Sequence, residues 1–401
     1  MIHKGLVVQK YGGCTLNTPE RLTEALALIQ DRLARNCKVV AVVSAMGRMG
    51  EPYATDSLLD LVGGAPHALC DRERALLMCC GELIAAVRFS HFLTSHQLAA
   101  TALSGWEAGI RTMGGHCDAT IDQVDPEPVL AALSTNDVVV VAGFQGMSSR
   151  GEITCLGRGG SDTSAVAVAV ALHADRLEII KDIPGIFSAD PAVIPGAVRL
   201  HEIAAEDLRE MAWQGAKVLH PRAAELVVDN KLEVLVRTTA DARGTRIAPR
   251  ACLEHTRFIT GVALDIPVCL VEVDLDPVRP QEEMTELFEA VAGAGISMDM
   301  FGILKTVLRF TVKNNVDRVN HLLQDRDARF RLNAAMAKVS IVGAGMHGLP
   351  GVMARVCRTL TEAAVSIHQT SDSHATISVL VDAGAARLAA DVLHAEFIEK
   401  T

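Results

Sequence analysis

Three short stretches place chemically capable side chains beside glycine turns. In VVQKYGG (7–13) an apolar run ends on Lys10, and Gly12 and Gly13 follow before a helical pattern. A lysine at the carboxyl end of a strand, next to glycine amides, can hold a phosphate; a turn carrying a solvated lysine accounts for the same letters. In LGRGGSDTSA (156–165), Gly157, Gly159 and Gly160 let a ligand approach the backbone closely. Ser161 and Asp162 stand where a helix cap belongs, and Arg158 can grip a carboxylate with two parallel hydrogen bonds. A cap alone needs neither an arginine nor three glycines. The third stretch, KDIPGIFSADP (181–191), reads as a strand end followed by turns and two aspartates. Glu82 adds a lone carboxylate within an apolar helical stretch, CCGE (79–82).

A fourth stretch suggests other chemistry. VGAGMHGLPG (342–351) spells GxGxxG between an apolar run and a helical pattern, the outward form of a dinucleotide fingerprint. Only 53 residues follow Gly348, too few for a dinucleotide domain, and Pro350 interrupts the turn. A glycine-rich turn between a strand and a helix is the simpler reading.

These stretches need a scaffold. Over residues 1–248 strand and helix patterns alternate as a helix-covered parallel sheet requires. KVVAVVSAM (38–46) and DVVVVAGF (137–144) read as strands buried on both faces. ERLTEALALIQDRLA (20–34), SDTSAVAVAVALHA (161–174) and REMAWQGAKVL (209–219) read as helices. The polar stretch 238–255 has no periodicity and marks a domain boundary. Beyond it, residues 257–330 and 336–401 share one rhythm, strand–helix–strand–strand followed by a helix candidate, which reads as a weak internal repeat.

Composition bounds the partners. The chain has 401 residues, 49% hydrophobic and 21% charged, enough for several packed cores. A formal net charge of −10 gives nucleic acid or an anionic membrane little to bind, so an anionic substrate needs a local basic site. The ten cysteines form no CxxC and read as small buried hydrophobes in a reducing compartment. The N-terminus has no signal-peptide pattern, and no uninterrupted apolar run reaches about 18 residues. A cytoplasmic protein with no membrane partner is expected.

Taken together, QKYGG, VVSAMGRMGEPYATDSLLDLV, LGRGGSDTSA, GAKVLHPRA, VGAGMHGLPGVMAR and QTSDSHATI closely resemble the aspartokinase family, from residue 6 to about residue 398. SAMGRMGEPYATDSLL and QTSDSHATI are most similar to its monofunctional, diaminopimelate-sensitive bacterial type. The resemblance implies an amino-acid-kinase domain (1–248), a mostly parallel sheet between helices. Two ACT domains of ferredoxin-like βαββαβ form (257–330 and 336–401) would follow it. It implies that ATP, with Mg2+, phosphorylates the β-carboxylate of L-aspartate. It also places GAGMHGLPGVMAR at the first turn of an ACT domain, which explains the GxGxxG.

Site roles follow by the same resemblance. Lys10 would contact the transferring phosphoryl, with amides from Gly12 and Gly13, and Asp162 would orient Lys10. Arg158 would bind the substrate α-carboxylate and Glu82 its ammonium, with Ser44 and Ser161 lining the pocket. Nucleotide contacts would come from Lys181, Asp182, Phe187 and Lys217. No protein metal site is implied, since Mg2+ would sit on nucleotide oxygens and water. A regulatory amino acid (diaminopimelate, lysine or threonine) would bind near Met346, His347 and Gly348 and near Gln369, Thr370, Ser371 and Asp372. The ACT domains imply a homodimer.

The chain departs from the family pattern at three places. Cys14 stands where a threonine is usual, Lys181 where a threonine is usual, and Ala192 where an arginine ordinarily meets the nucleotide. Losing that arginine would cost about 1.5–3 kcal/mol of a charged contact unless Lys181 restores it. Two other functions stay open at this point: a kinase for a different amino-acid carboxylate, and a weakened paralogue serving as a regulatory subunit.

Overall fold

The computed structural model describes residues 5–63, 69–216, 218–241, 243–253, 258–326, 328–344, 346 and 350–400. Lys217, His347 and Gly348 lie outside the described residues. The chain divides into two compact units. The first comprises 1–186, 199–212 and 217–256; the second comprises 187–198, 213–216 and 257–401.

The first unit is built on an eight-stranded sheet. Its strands are β1 (Gly5–Tyr11), β2 (Cys37–Val43), β3 (Ala100–Leu103), β4 (Val138–Ala142), β5 (Arg176–Ile180), β6 (Glu202–Ala204), β7 (Val234–Arg237) and β8 (Thr245–Ala248). Their order is β6-β8-β7-β5-β1-β2-β4-β3, parallel except at the β7–β8 pair. The valine runs follow from burial on both faces: Val39 to Val43 and Val138 to Ala142 are fully covered. The chain leaves β1 toward β2 on one side and returns to β5 on the other. The carboxyl end of β1 is therefore a switch point, where open α/β sheets form their ligand crevice.

Three helices matter for the crevice: α1 (Pro19–Ala34), α2 (Asp71–Ser95) and α3 (Gly160–Ala171). Pro19 at the first position and the Thr18 hydroxyl, which accepts from Arg21 N at 3.3 Å, start α1. Its Leu22, Leu26 and Ile29 pack on the sheet. Helix α2 has 25 residues and is long and apolar enough to cross a membrane by length and composition. The sequence reading, which counted only uninterrupted runs, missed this. In the fold its Ala85, Ala86, Phe89 and Leu93 share a core with Tyr11 and the strand valines.

Two expectations change here. The stretch 238–255 is not structureless, because β8 completes the sheet within it and the first unit runs on to residue 256. β8 has only four residues and two of them, Thr245 and Arg246, are polar, so its letters hid it. The helix expected over 209–219 instead spans Ala205–Trp213.

The second unit carries a six-stranded antiparallel sheet. Its strands are β9 (Gly261–Asp274), β10 (Asp299–Leu304), β11 (Val307–Val312), β12 (Arg329–Val342), β13 (Gln369–Asp372) and β14 (Thr376–Asp382), in the order β10-β11-β9-β12-β14-β13. The helices are α4 (Pro280–Gly293), α5 (Val316–Asp325), α6 (Val352–Glu362) and α7 (Ala386–His394). The repeat is present, but its halves share strands. β9 and β12 pair along their whole length, from Gly261 against Val342 to Asp274 against Arg329. The late part of β12 opens the second βαββαβ half, and the early part of β9 supplies that half's fourth strand. The cut between 330 and 336 therefore falls inside one strand, β12.

Candidate functional site

Parallel strands deliver their carboxyl ends to one rim, and the polar residues of the sequence motifs follow those ends. Lys10 lies near the end of β1, Ser44 follows β2, and Lys181 and Asp182 follow β5. Lys10, Ser44, Glu82, Arg158, Ser161 and Asp162 all line one cavity of about 570 Å3. That volume suits a small ligand.

Lys10 is 7% exposed, and its Nζ lies 2.7 Å from Asp162 Oδ1. Lys181 Nζ stands 3.8 Å from the other Asp162 oxygen and donates to the carbonyl of Val218. One carboxylate thus faces two ammonium groups. Burial pushes the Asp162 pKa up, but Lys10, Lys181 and His220 together outweigh it and hold the carboxyl below its ordinary value. Lys181 moves down, chiefly from desolvation and against the pull of Asp162. The lysine that stands in a threonine's place therefore turns inward, onto the carboxylate that Lys10 uses.

Glu82 is 3% exposed. Its Oε1 accepts from Ala45 N at 3.0 Å, while Oε2 is buried without a hydrogen-bond partner. Desolvation raises the carboxyl to about 8, against lowering by the Ala45 amide and Lys10. An unpartnered acceptor facing a cavity is a place for a cation. Arg158, by contrast, is exposed at the rim.

Glycine is required by contact at two points, and at one of them by conformation as well. A Cβ on Gly13 would sit 2.5 Å from the Ala45 carbonyl oxygen. Gly159, at φ +70°, would place one 2.2 Å from His220 Cβ. Gly159 is also the cap residue of α3, so Ser161 and Asp162 belong to the first turn of that helix rather than to its cap. A second correction concerns Gly12. Its amide donates to the carbonyl of Ile180 at 3.3 Å and is not a free phosphate donor.

The remaining candidates are scattered. Asp182 is exposed and pairs with Arg48 Nη2 at 2.7 Å. Arg48 Nε also points at Cys14 Sγ, 3.1 Å away, so this arginine links the loops after β1, β2 and β5. Phe187 is half-buried at the start of the segment assigned to the second unit. Ala192 is exposed, its amide closing a turn onto Asp190 Oδ1 at 2.9 Å. In the second unit Met346 is 3% exposed within the apolar core rather than open to a ligand. Gln369, Thr370, Ser371 and Asp372 form the edge strand β13. Gln369 Nε2 donates to the Met300 carbonyl, and its Oε1 is buried without a partner.

Arg74, Thr55 and Asp56 also line the cavity, and sequence reasoning missed them. For Arg74 a signal existed. Arg74, Met78 and Glu82 are spaced four apart and so share one face of α2.

Comparison with known proteins bears on this geometry. Residues 5–238 match the model of the amino acid kinase family, and residues 331–395 match an ACT domain model. The chain is 39% identical to aspartokinase 1 of Bacillus subtilis over 401 residues, covering 98% of each chain. The chain belongs to the aspartokinase family. It is likewise 37% identical to an aspartokinase of Mycolicibacterium smegmatis, across 98% of this chain and 96% of that one. Among solved structures, E. coli aspartokinase III in complex with aspartate and ADP superposes with a TM-score of 0.85 at 24% identity. The match covers 97% of this chain and 99% of that one, and it speaks for the fold. As an aspartokinase, the chain is a kinase: an amino-acid-kinase unit followed by ACT-type βαββαβ modules.

Proposed function

We propose that this aspartokinase transfers the γ-phosphoryl group of ATP to the β-carboxylate of L-aspartate, giving 4-phospho-L-aspartate. That product would enter lysine and diaminopimelate, threonine and methionine biosynthesis in the cytoplasm. One observation carries the reading: a single cavity at the switch point gathers an ammonium, a guanidinium and an unpartnered buried carboxylate. Those groups complement an α-amino dicarboxylate beside a phosphate.

An aspartate carboxylate has a pKa near ~3.9 and is ionised at neutral pH, so the nucleophile needs no general base. The obstacle is repulsion between two anions, and the remedy is positioning and charge neutralisation. Glu82 Oε2 takes the substrate ammonium, which restores a charged partner to a carboxylate that burial disfavours. Arg158 takes the α-carboxylate from the rim and leaves the β-carboxylate directed inward. Lys10, aimed by Asp162, meets the transferring group. Ser44 and Ser161 line the same space, and Asp182, Phe187 and Lys217 serve the nucleotide. Mg2+ brought with ATP would supply charge neutralisation on the phosphates. Asp162, already committed to Lys10, suits a metal held on nucleotide oxygens and water.

The ACT modules supply feedback control by lysine, diaminopimelate or threonine, with the chain acting as a homodimer through them. E. coli aspartokinase III has been solved with lysine and aspartate, which makes lysine the first effector to test. An effector acts by binding one conformation better than another. Purified protein given ATP, magnesium and L-aspartate should yield an acyl phosphate that hydroxylamine traps. L-Glutamate and N-acetylglutamate should give far less. Equal turnover of either would remove aspartate as the substrate, and no trapped product from any acid would remove the kinase assignment. Calorimetric titration with the three effectors checks regulation; absence of heat from all of them ends it.

A further inference from the structure

The stretch that follows β5 is divided between the units. Residues 182–186 belong to the first unit, 187–198 to the second, and the chain re-enters the first at Arg199. Each unit holds its own part. In the first, Ile186 N donates to Thr245 Oγ1 at 2.8 Å, and that hydroxyl donates to the Leu200 carbonyl at 2.6 Å. Arg199 pairs with Asp241 and reaches the Pro184 carbonyl at 3.3 Å. In the second, Val262 N donates to the Ser188 carbonyl at 2.7 Å, and Ala189 and Ile194 lie in the apolar core.

A buried polar chain fixes the second part. His394, at the end of α7, is fully buried. Its Nε2 lies 2.8 Å from Ser188 Oγ and its Nδ1 lies 3.1 Å from Glu399 Oε1. Ser188 Oγ also accepts from Val198 N at 3.0 Å. One proton assignment satisfies every atom: the serine hydroxyl donates to Nε2, and Nδ1–H donates to Glu399. Gly196 is fitted against the same group, since a Cβ there would fall 2.1 Å from Glu399 Oε1.

The order serine, histidine, glutamate imitates a nucleophilic triad. Ser188, however, is fully buried and its oxygen is already engaged by an amide, so no substrate reaches it. Apolar packing alone would bury this segment with less desolvation. What a directional chain adds is one fixed position. Ser188 follows Phe187 directly and lies six residues after Asp182.

We propose that His394 is a positioning residue for nucleotide binding. Through Ser188 it fixes the backbone beside Phe187. The inference rests on the reading that Asp182 and Phe187 meet the nucleotide.

The test uses the full chain and three variants, with ATP and aspartate varied separately. His394→Gln keeps an amide near the Nε2 position and the bond to Ser188. His394→Asn keeps only the bond to Glu399. Ser188→Ala removes the link from the other side. The Asn and Ala variants should raise KM for ATP about 5–10-fold with KM for aspartate within about twofold, and the Gln variant should stay within about twofold for both. A lower melting temperature with no change in either KM, or an equal rise in both, overturns the proposal and leaves a structural role. If His394→Asn fails to fold, Ser188→Ala and His394→Gln still decide it. Asp182→Asn, at an exposed residue, is the control. A raised KM for ATP there with silent relay variants sinks the relay alone, whereas silence throughout sinks the nucleotide reading with it.

Discussion

The two sheets of this protein solve burial differently, and the difference locates its chemistry. The parallel sheet is covered on both faces, so polar side chains on its strands must be satisfied inside. Gln9 Nε2 donates to Glu178 Oε2 at 2.9 Å, Tyr11 OH donates to Gln9 Oε1 at 2.9 Å, and Arg32 pairs with Glu178. Such a network occupies the polar groups of the strand middles and leaves the strand ends for a ligand. In the antiparallel sheet, Glu272 lies directly across from Arg309 and Arg331 and pairs with both, at 2.6 and 3.2 Å. These partly exposed pairs set cross-strand register and contribute little energy each. A sheet that is closed through its middle leaves its rim for the candidate cavity.

Four substitutions would break or sharpen that contrast. Lys10→Met removes the rim ammonium and should lower kcat by about 10³-fold or more with the fold retained, read by hydroxamate formation and circular dichroism. Surviving activity would mean that the rim lysine does not serve the transferring group. Phe310→Ala empties a fully buried site in β11 and should cost about 3–5 kcal/mol, seen as loss of effector response and early melting of the second unit. A single cooperative transition that moves both units together would instead show that the two cores are not independent.

Glu82→Gln should lower kcat/KM for aspartate about 10²-fold. It should also change how stability depends on pH. Glu82 binds its proton more tightly folded than unfolded, because its pKa rises from an ordinary 4.5 to about 8. Between those values the native state holds more protons, so wild-type stability falls as pH rises from about 4.5 to about 8. The variant should lose that slope and melt higher than wild type at pH 8. An unchanged pH dependence would place the shift elsewhere. The smallest effect belongs to Arg48→Ala, which removes an exposed pair. Stability should change by less than about 1 kcal/mol and KM for ATP by a few-fold. A tenfold effect would promote Arg48 from a loop clasp to a nucleotide ligand.

The sequence by itself determined the type of many elements and several residues that line the candidate cavity. The short continuous runs at 38–46 and 137–144 read as doubly buried strands and the glycine–polar stretches as turns, so Lys10, Arg158 and Asp162 could be picked out as candidates that line one cavity. The strand-helix-strand-strand rhythm after residue 257 was legible for the same reason. Tertiary structure alone decided what those letters could not encode. It spent the Gly12 amide on Ile180, turned Lys181 inward to share Asp162 with Lys10, and brought Arg74 to the cavity from a helix face. It merged two repeats through β9 and β12, and it joined Ser188 to His394 across 206 positions. Periodicity reports which face of an element is buried. It carries no information on which distant partner covers that face or which polar group meets which, because those are set by the competition of many pairings for one closed volume.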